Sequence, residues 1–142
     1  MDQPLVISVI LNTNRREDTL ECLTSLAQSS YPNQRTIVLD NHSIDGSVQT
    51  IRAAFPAAQI IELTENLGYA GNNNVGIQAA LLQGADWVFV LNEDTILDPD
   101  CISLLVKVGA SDSFLSYQRE TTLFGLDSRV RGNDGCAVTI IT

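Results

Sequence analysis

The chain has 142 residues and a net charge of −9, from 17 acids and 8 bases, long enough for one domain with a real buried core. Its 44% hydrophobic and 18% charged content is ordinary for a soluble globular protein, and it has no apolar run of the ~18 residues that a membrane-crossing helix requires. The acidic balance argues against a nucleic-acid surface, which needs a basic stripe to replace counterions, but leaves phosphate ligands open because backbone amides or a divalent cation can neutralise them.

In chain order, Leu5 to Leu11 (LVISVIL) is a continuous apolar, β-branched run, as expected for a strand buried on both faces. An acid at position 2 and no basic segment before this run make it a strand rather than a secretory signal. After NTNRRED, Leu20, Leu23, Leu26 and Ala27 recur at helical spacing until SSYPN stops them. Arg35 to Asp40 is a second strand ending in an acid. Asp45 then stands where it can cap a helix carrying Val48, Ile51 and Phe55, which Pro56 ends. AQIIEL is a third strand. The stretch TENLGYAGNNNVGI follows as a turn rich in glycine and asparagine, with a helix from about Asn73 to Gln83. Asp86 to Leu91 is a fourth strand, and the helix after Pro99 carries Ile102, Leu105 and Val106.

This alternation predicts an α/β domain with a mostly parallel sheet flanked by helices. Ligands of such sheets sit at the carboxyl ends of the strands. Here those ends carry Asn12, Thr13 and Asn14, then Asp40, then Asn66, then Asn92, Glu93 and Asp94. Separate segments should therefore bring their polar groups to one edge. From about Gly109 onward the pattern lapses, and only the closing AVTII suggests an edge strand or hairpin. The domain is thus expected over residues 1–108, with 109–142 an atypical tail. Cys22, Cys101 and Cys136 are odd in number and far apart, which gives neither a metal-ligand spacing nor a disulfide framework and points to a reducing, cytoplasmic setting.

Each motif has two readings. Glu93 and Asp94 are hard oxygen ligands suited to Mg²⁺ or Mn²⁺ bridging to a diphosphate; equally, acids around Pro99 are common where helices begin. Asp40 can accept the imide N–H of a uracil or thymine ring, or belong to an ordinary strand–turn–helix junction. Arg15 and Arg16 stand near any anion at that edge, or simply face solvent at a helix start. His42, the one histidine, has no partner at a recognisable spacing and is read as a solvent-facing turn residue. GYAGNNNVG lacks both the P-loop lysine and the GxGxxG spacing of a dinucleotide fold.

Together, VISVILNTNRR, TIVLDNHSIDGS, ENLGYAGNNNVGI and FVLNEDTILDP, in that order, resemble the nucleotide-sugar-binding half of family 2 glycosyltransferases, in the manner of the rhamnosyltransferase-like branch. The resemblance covers about Leu5 to Val108. It implies a GT-A (Rossmann-like) fold, a nucleotide diphosphate sugar donor (UDP- or dTDP-linked), a divalent metal (Mg²⁺ or Mn²⁺), and inverting transfer to an acceptor hydroxyl. Carried across, Thr13 and Asn14 line the nucleotide pocket, Asp40 binds the base, and Asn41 and Ser43 shape the turn beside it. Asn66, Gly68, Gly71 and Asn72 approach the ribose or donor. Asn92, Glu93 and Asp94 occupy the family's DxD position, with Asp94 matching the metal-binding acid and Asn92 in place of the first acid. The acceptor implied is a carbohydrate or lipid-linked group of cell-surface polysaccharide synthesis, with peripheral association at the inner face of a membrane.

Members of that family continue into an acceptor-binding half that carries the general base, and nothing after Val108 aligns with it. LDSRVRGNDG resembles the translated product of a dispersed bacterial repeat. The expectation is therefore a truncated domain whose tail comes from an insertion or frameshift, with no catalytic base assigned. Two other readings stay open: an inactive nucleotide-sugar-binding remnant, and a nucleotidyltransferase. The latter would ordinarily place a glycine-rich phosphate loop after the first strand, where LNTNRRED has no glycine.

Overall fold

The computed structural model describes residues 3–110 and 139–141. Strand β1 (Val6–Asn12), helix α1 (Arg16–Ala27), β2 (Gln34–Asp40), α2 (Ser47–Ala54), β3 (Gln59–Glu62), α3 (Gly68–Leu82), β4 (Trp87–Asn92), α4 (Cys101–Gly109) and β5 (Thr139–Ile141) follow in chain order. The sheet runs β3-β2-β1-β4-β5. Strands β1 to β4 are mutually parallel, and β5 pairs antiparallel with β4, Phe89 opposite Ile140. The edge strand expected from AVTII is thus present, on the outer side of β4. Residues 111–138, on which the reading of a foreign tail rests, lie outside the described residues.

Strand β1 sits in the middle because it is apolar on both faces. Val6 and Ile10 pack with Cys22, Leu23 and Leu26 of α1, Ile51 of α2 and Ile102 of α4. Ile7 and Val9 point the other way, into a second cluster with Ile37, Leu39, Val88 and Ala80. Ile7, Val9 and Ile10 are fully buried, which explains why the run does not alternate in polarity as a half-exposed strand would. Helices α1, α2 and α4 contribute to one cluster and α3 to the other, so both faces of the sheet are covered.

Helix α3 departs from the sequence expectation. It begins at Gly68, not near Asn73, so most of the presumed glycine–asparagine turn is its first half. Packing overrides the poor helix propensity of glycine. A Cβ on Gly76 would lie 2.4 Å from a Val9 methyl and 2.9 Å from one of Leu39. The missing side chain is therefore what lets α3 rest directly on β1 and β2. At Gly71 a Cβ would come within 2.5 Å of the Leu67 Cβ, so glycine there allows the tight first turn. The remaining boundaries differ from expectation by about a residue, within ordinary end fraying.

The order β3-β2-β1-β4 fixes where a ligand can sit. The chain walks outward from β1 to β3, returns through α3, and resumes on the far side of β1. The strand order therefore reverses between β1 and β4, the kind of switch point at whose carboxyl ends ligands of such sheets bind. Asn12 is level with Asp40, and Leu11 with Asn92, so the polar strand ends do share one edge.

Candidate active site

At the centre of that edge is Asn12, a residue the sequence marked only as polar. It is fully buried and makes four side-chain contacts. Its Nδ2 donates to Asp40 Oδ1 at 2.9 Å and to Ser43 Oγ at 3.1 Å. Its Oδ1 accepts from Thr19 Oγ1 at 2.8 Å and from the Arg15 amide at 3.3 Å. Asp40, 4% exposed, also accepts the Ser43 amide on Oδ2 at 3.0 Å. Each of its oxygens keeps a second acceptor position by count, so a ligand N–H can still be received.

The loops after β1 and β2 are laced together above this pair. The Asn14 amide donates to Ser43 Oγ at 2.9 Å, and Asn14 Oδ1 accepts the Ile44 amide at 2.7 Å. Asn41 Nδ2 reaches Thr13 Oγ1 at 3.4 Å. Asn14 and His42 both adopt left-handed backbone, φ 51° and 55°, a conformation asparagine and histidine tolerate better than most residues. His42 is exposed, with Asn41 Oδ1 3.4 Å from its Nδ1. Thr13, Asn14, Asp40, Asn41 and Ser43 therefore form one connected patch.

Asp45 does more than start one helix. Its Oδ1 accepts the Ser47 amide at 3.0 Å and also the Ser47 hydroxyl, at the beginning of α2. Its Oδ2 accepts the Arg16 amide at 3.0 Å, at the beginning of α1. Arg16 returns a guanidinium hydrogen bond to the Asp45 carbonyl at 2.8 Å. A cleft of about 230 Å³ lies here, lined by Asn14, Arg15, Arg16, Glu17, Asp18 and Asp45. A larger groove of about 370 Å³, lined by Leu26, Gln34, Arg35 and Phe55 among others, lies at the opposite end of the strands.

The acidic turn after β4 faces the start of α1. Arg15 Nε lies 2.7 Å from Asp18 and 3.8 Å from Glu93. Asp94 is exposed. Beneath the turn, Cys22 is buried with its Sγ 4.0 Å from the Asn92 carbonyl oxygen. Burial first, then the charges of Glu93 and Asp94, push this thiol up to about 12, so it is a neutral core residue and no nucleophile.

Among the predicted α3 positions, Asn66 and Gly68 are exposed, but Asn72 is not. Asn72 is 1% exposed, accepts the Leu67 amide at 2.9 Å and donates to Asn66 Oδ1 at 3.2 Å. Asn66 Oδ1 also accepts the Gly68 amide at 3.1 Å. These amides close the turn into α3, with Asn72 behind the wall rather than on its surface. Two residues outside the expected set complete the edge. Tyr69 donates from its hydroxyl to Asn92 Oδ1 at 2.8 Å, and Asn73, 4% exposed, donates to the Tyr69 carbonyl at 3.0 Å.

The model of glycosyl transferase family 2 matches residues 8–120, a span that takes in all of these segments. The chain belongs to glycosyl transferase family 2. It is 33% identical over 93 residues to the galactofuranosyltransferase GlfT1 of Mycobacterium tuberculosis H37Rv, an overlap covering 62% of this chain and 30% of the relative. The family 2 fold is that of GT-A glycosyltransferases. A mannosyltransferase of Pyrobaculum calidifontis, solved with GDP-Man and Mn²⁺, superposes with a TM-score of 0.71 at 23% identity, over 79% of this chain and 34% of that one. S. aureus TarS 1-349 with UDP-GlcNAc gives 0.66 at 18% identity, over 74% and 31%. The chain thus spans about a third of the length of these relatives.

For a family 2 metal, the fit rests on the donor set. No three His, Cys, Asp or Glu side chains among the described residues cluster as a self-contained cage. Mg²⁺ and Mn²⁺ bound beside phosphates need none, since one or two carboxylates suffice when diphosphate and water complete the shell. Glu93 and Asp94 provide such a pair at the open edge, and the exposed Asp94 makes no hydrogen bond or ion pair within the described residues. The residues present fit the ion. No helix of the described residues is long and apolar enough to cross a membrane.

Proposed function

We propose that this chain binds the nucleotide diphosphate part of a UDP- or dTDP-linked sugar, as the donor-binding part of a glycosyltransferase. The observation that carries this reading is the Asn12–Asp40–Ser43 network at the carboxyl ends of the paired strands β1 and β2, with Asn12 and Asp40 buried. A buried carboxylate whose oxygens keep further acceptor positions is suited to an N–H donor, as the imide of a pyrimidine supplies. Thr13, Asn14, Asn41 and Ser43 would bound the nucleoside. Asn66 and Gly68 would bound the donor from the α3 side, with Gly71 and Asn72 holding that wall in shape. Glu93 and Asp94 would hold Mg²⁺ or Mn²⁺, which when bound stabilises negative charge on the leaving diphosphate.

Transfer to an acceptor hydroxyl with inversion belongs to the same reading, as do a rhamnosyltransferase-like donor preference and a carbohydrate or lipid-linked acceptor of cell-surface polysaccharide synthesis at the cytoplasmic face of a membrane. The mannosyltransferase structure with GDP-Man and Mn²⁺ and the TarS structure with UDP-GlcNAc support a sugar-nucleotide donor and, in the first case, a metal. Inverting transfer also needs a base for the acceptor proton, a role assigned to no described residue. Donor binding without transfer is accordingly the behaviour expected of residues 3–110 by themselves, and the second reading, a binding unit with no turnover, predicts the same for the whole chain.

Calorimetry of the whole chain with UDP, dTDP and GDP, each with Mn²⁺, tests the proposal. UDP or dTDP is expected to bind and GDP more weakly. Absence of binding by every nucleotide would overturn it. Release of UDP from UDP-sugars in the presence of candidate acceptors then separates transferase from binding unit.

A further inference from the structure

Among the described residues, the Tyr69 hydroxyl is the one side-chain hydrogen bond from α3 to the strand end that leads into the acidic turn. Tyr69 stands at the start of α3 with 56% of its surface exposed, yet its phenol is anchored on Asn92 rather than in solvent. Burial of the phenol, then the charge of Glu93, raises its pKa above 10.0, with the Asn73 side chain acting the other way. The neutral phenol keeps a proton to donate. Asn92 Oδ1 accepts that hydrogen bond at 2.8 Å, which leaves the Asn92 NH₂ group as the end directed away from Tyr69. An amide held by its oxygen presents two N–H donors. Beside Glu93 and Asp94, a neutral donor also avoids a third adjacent negative charge, which a carboxylate at position 92 would add.

We propose that Tyr69 is a positioning residue that turns Asn92 into a hydrogen-bond donor for the diphosphate, so that Asn92 grips phosphate oxygen directly and is not a metal ligand. The inference deepens the donor-binding reading and rests on it. Metal binding then falls to Asp94 and Glu93, and the phosphate receives two separable holds. One works through the cation, and the other through an oriented amide that is independent of it.

The test is UDP affinity of the whole chain, measured with saturating Mn²⁺ and again in EDTA. Tyr69→Phe keeps the ring and removes only the hydroxyl. It is expected to weaken UDP binding about three- to tenfold, the worth of one hydrogen bond, by the same factor in both conditions. In an Asn92→Ala background the same change should have no further effect, because the hydroxyl then has nothing to orient. A loss seen with Mn²⁺ but absent in EDTA would make Asn92 a metal ligand and overturn the proposal. A full Tyr69→Phe loss persisting in Asn92→Ala would overturn it too, by showing that the hydroxyl touches donor itself. If the wild-type chain binds no nucleotide in either condition, the donor-binding reading falls and this inference with it.

Discussion

Replacing Asp94 by Asn should abolish the part of UDP-induced thermal stabilisation that depends on Mn²⁺, leaving the metal-free part in place. A ligand present at one hundred times its Kd stabilises a folded protein by about 2.7 kcal/mol, which in a domain of this size is a shift of several degrees. Asp94 is exposed and makes no hydrogen bond among the described residues, so the substitution removes a charged ligand with little cost to the described fold. The melting temperature of the unliganded protein should therefore barely move. Glu93→Gln should be milder towards the metal, because Glu93 is also partnered by Arg15 at 3.8 Å. Differential scanning fluorimetry with UDP, in Mn²⁺ and in EDTA, reads both variants. A Mn²⁺-dependent shift that survives in Asp94→Asn would take the metal away from this turn.

The second large effect is expected at Asn12. Truncation to Ala removes acceptors from Thr19 and the Arg15 amide and donors to Asp40 and Ser43, all in or beside a fully buried site. At about 1 kcal/mol for each hydrogen bond, and more where a buried carboxylate loses its donor, the loss in unfolding free energy should reach about 3–4 kcal/mol. That is a large share of the stability of an ordinary domain. Asn12→Asp should be at least as harmful, since it sets a second carboxylate against Asp40. Urea denaturation followed by circular dichroism measures the effect. A change under about 1 kcal/mol would mean that Asp40 is held in place by other groups.

The parts of the fold that could be read in advance are those in which one short segment carries its own signal. Runs such as VISVIL, apolar but for the buried Ser8, and WVFVL do not alternate because both their faces are covered, and that pattern points to parallel, central strands. The beginning of α3 could not be read this way. Glycine and asparagine favour turns, and what makes Gly68 to Asn73 helical is remote: the groove over Val9 and Leu39 that only Gly76 fits. The edge that gathers the strand ends followed from the alternation of elements. The internal wiring of that edge did not. Asn12, Asp40 and Ser43 are separated by 28 and 31 positions, and nothing local distinguishes a buried strand-end asparagine from a solvated one. Tyr69 was missed for a related reason, since its partner Asn92 lies 23 positions away. Asp45 reads in the sequence as a helix cap, whereas Gly46 takes the cap position of α2. Asp45, one residue earlier, accepts the Ser47 amide and also the Arg16 amide 29 positions away, a pairing that no local pattern announces.

That double attachment has a consequence in acid. The Asp45 carboxylate is held below its ordinary value of 3.8, first by the Ser47 hydroxyl, against some burial, and then by the Ser47 and Arg16 amides. Protons therefore bind the unfolded chain more readily than the folded one at this site, and its stabilising contribution is whole above the unfolded value of about 3.9 and lost as pH falls through the lower folded one. Because one carboxyl group serves the first turns of both α1 and α2, its protonation should loosen the two together. Protection of the Arg16 and Ser47 amides against exchange, taken relative to their intrinsic rates at each pH, should then fall in step as the medium is acidified, and Asp45→Asn would remove that shared dependence.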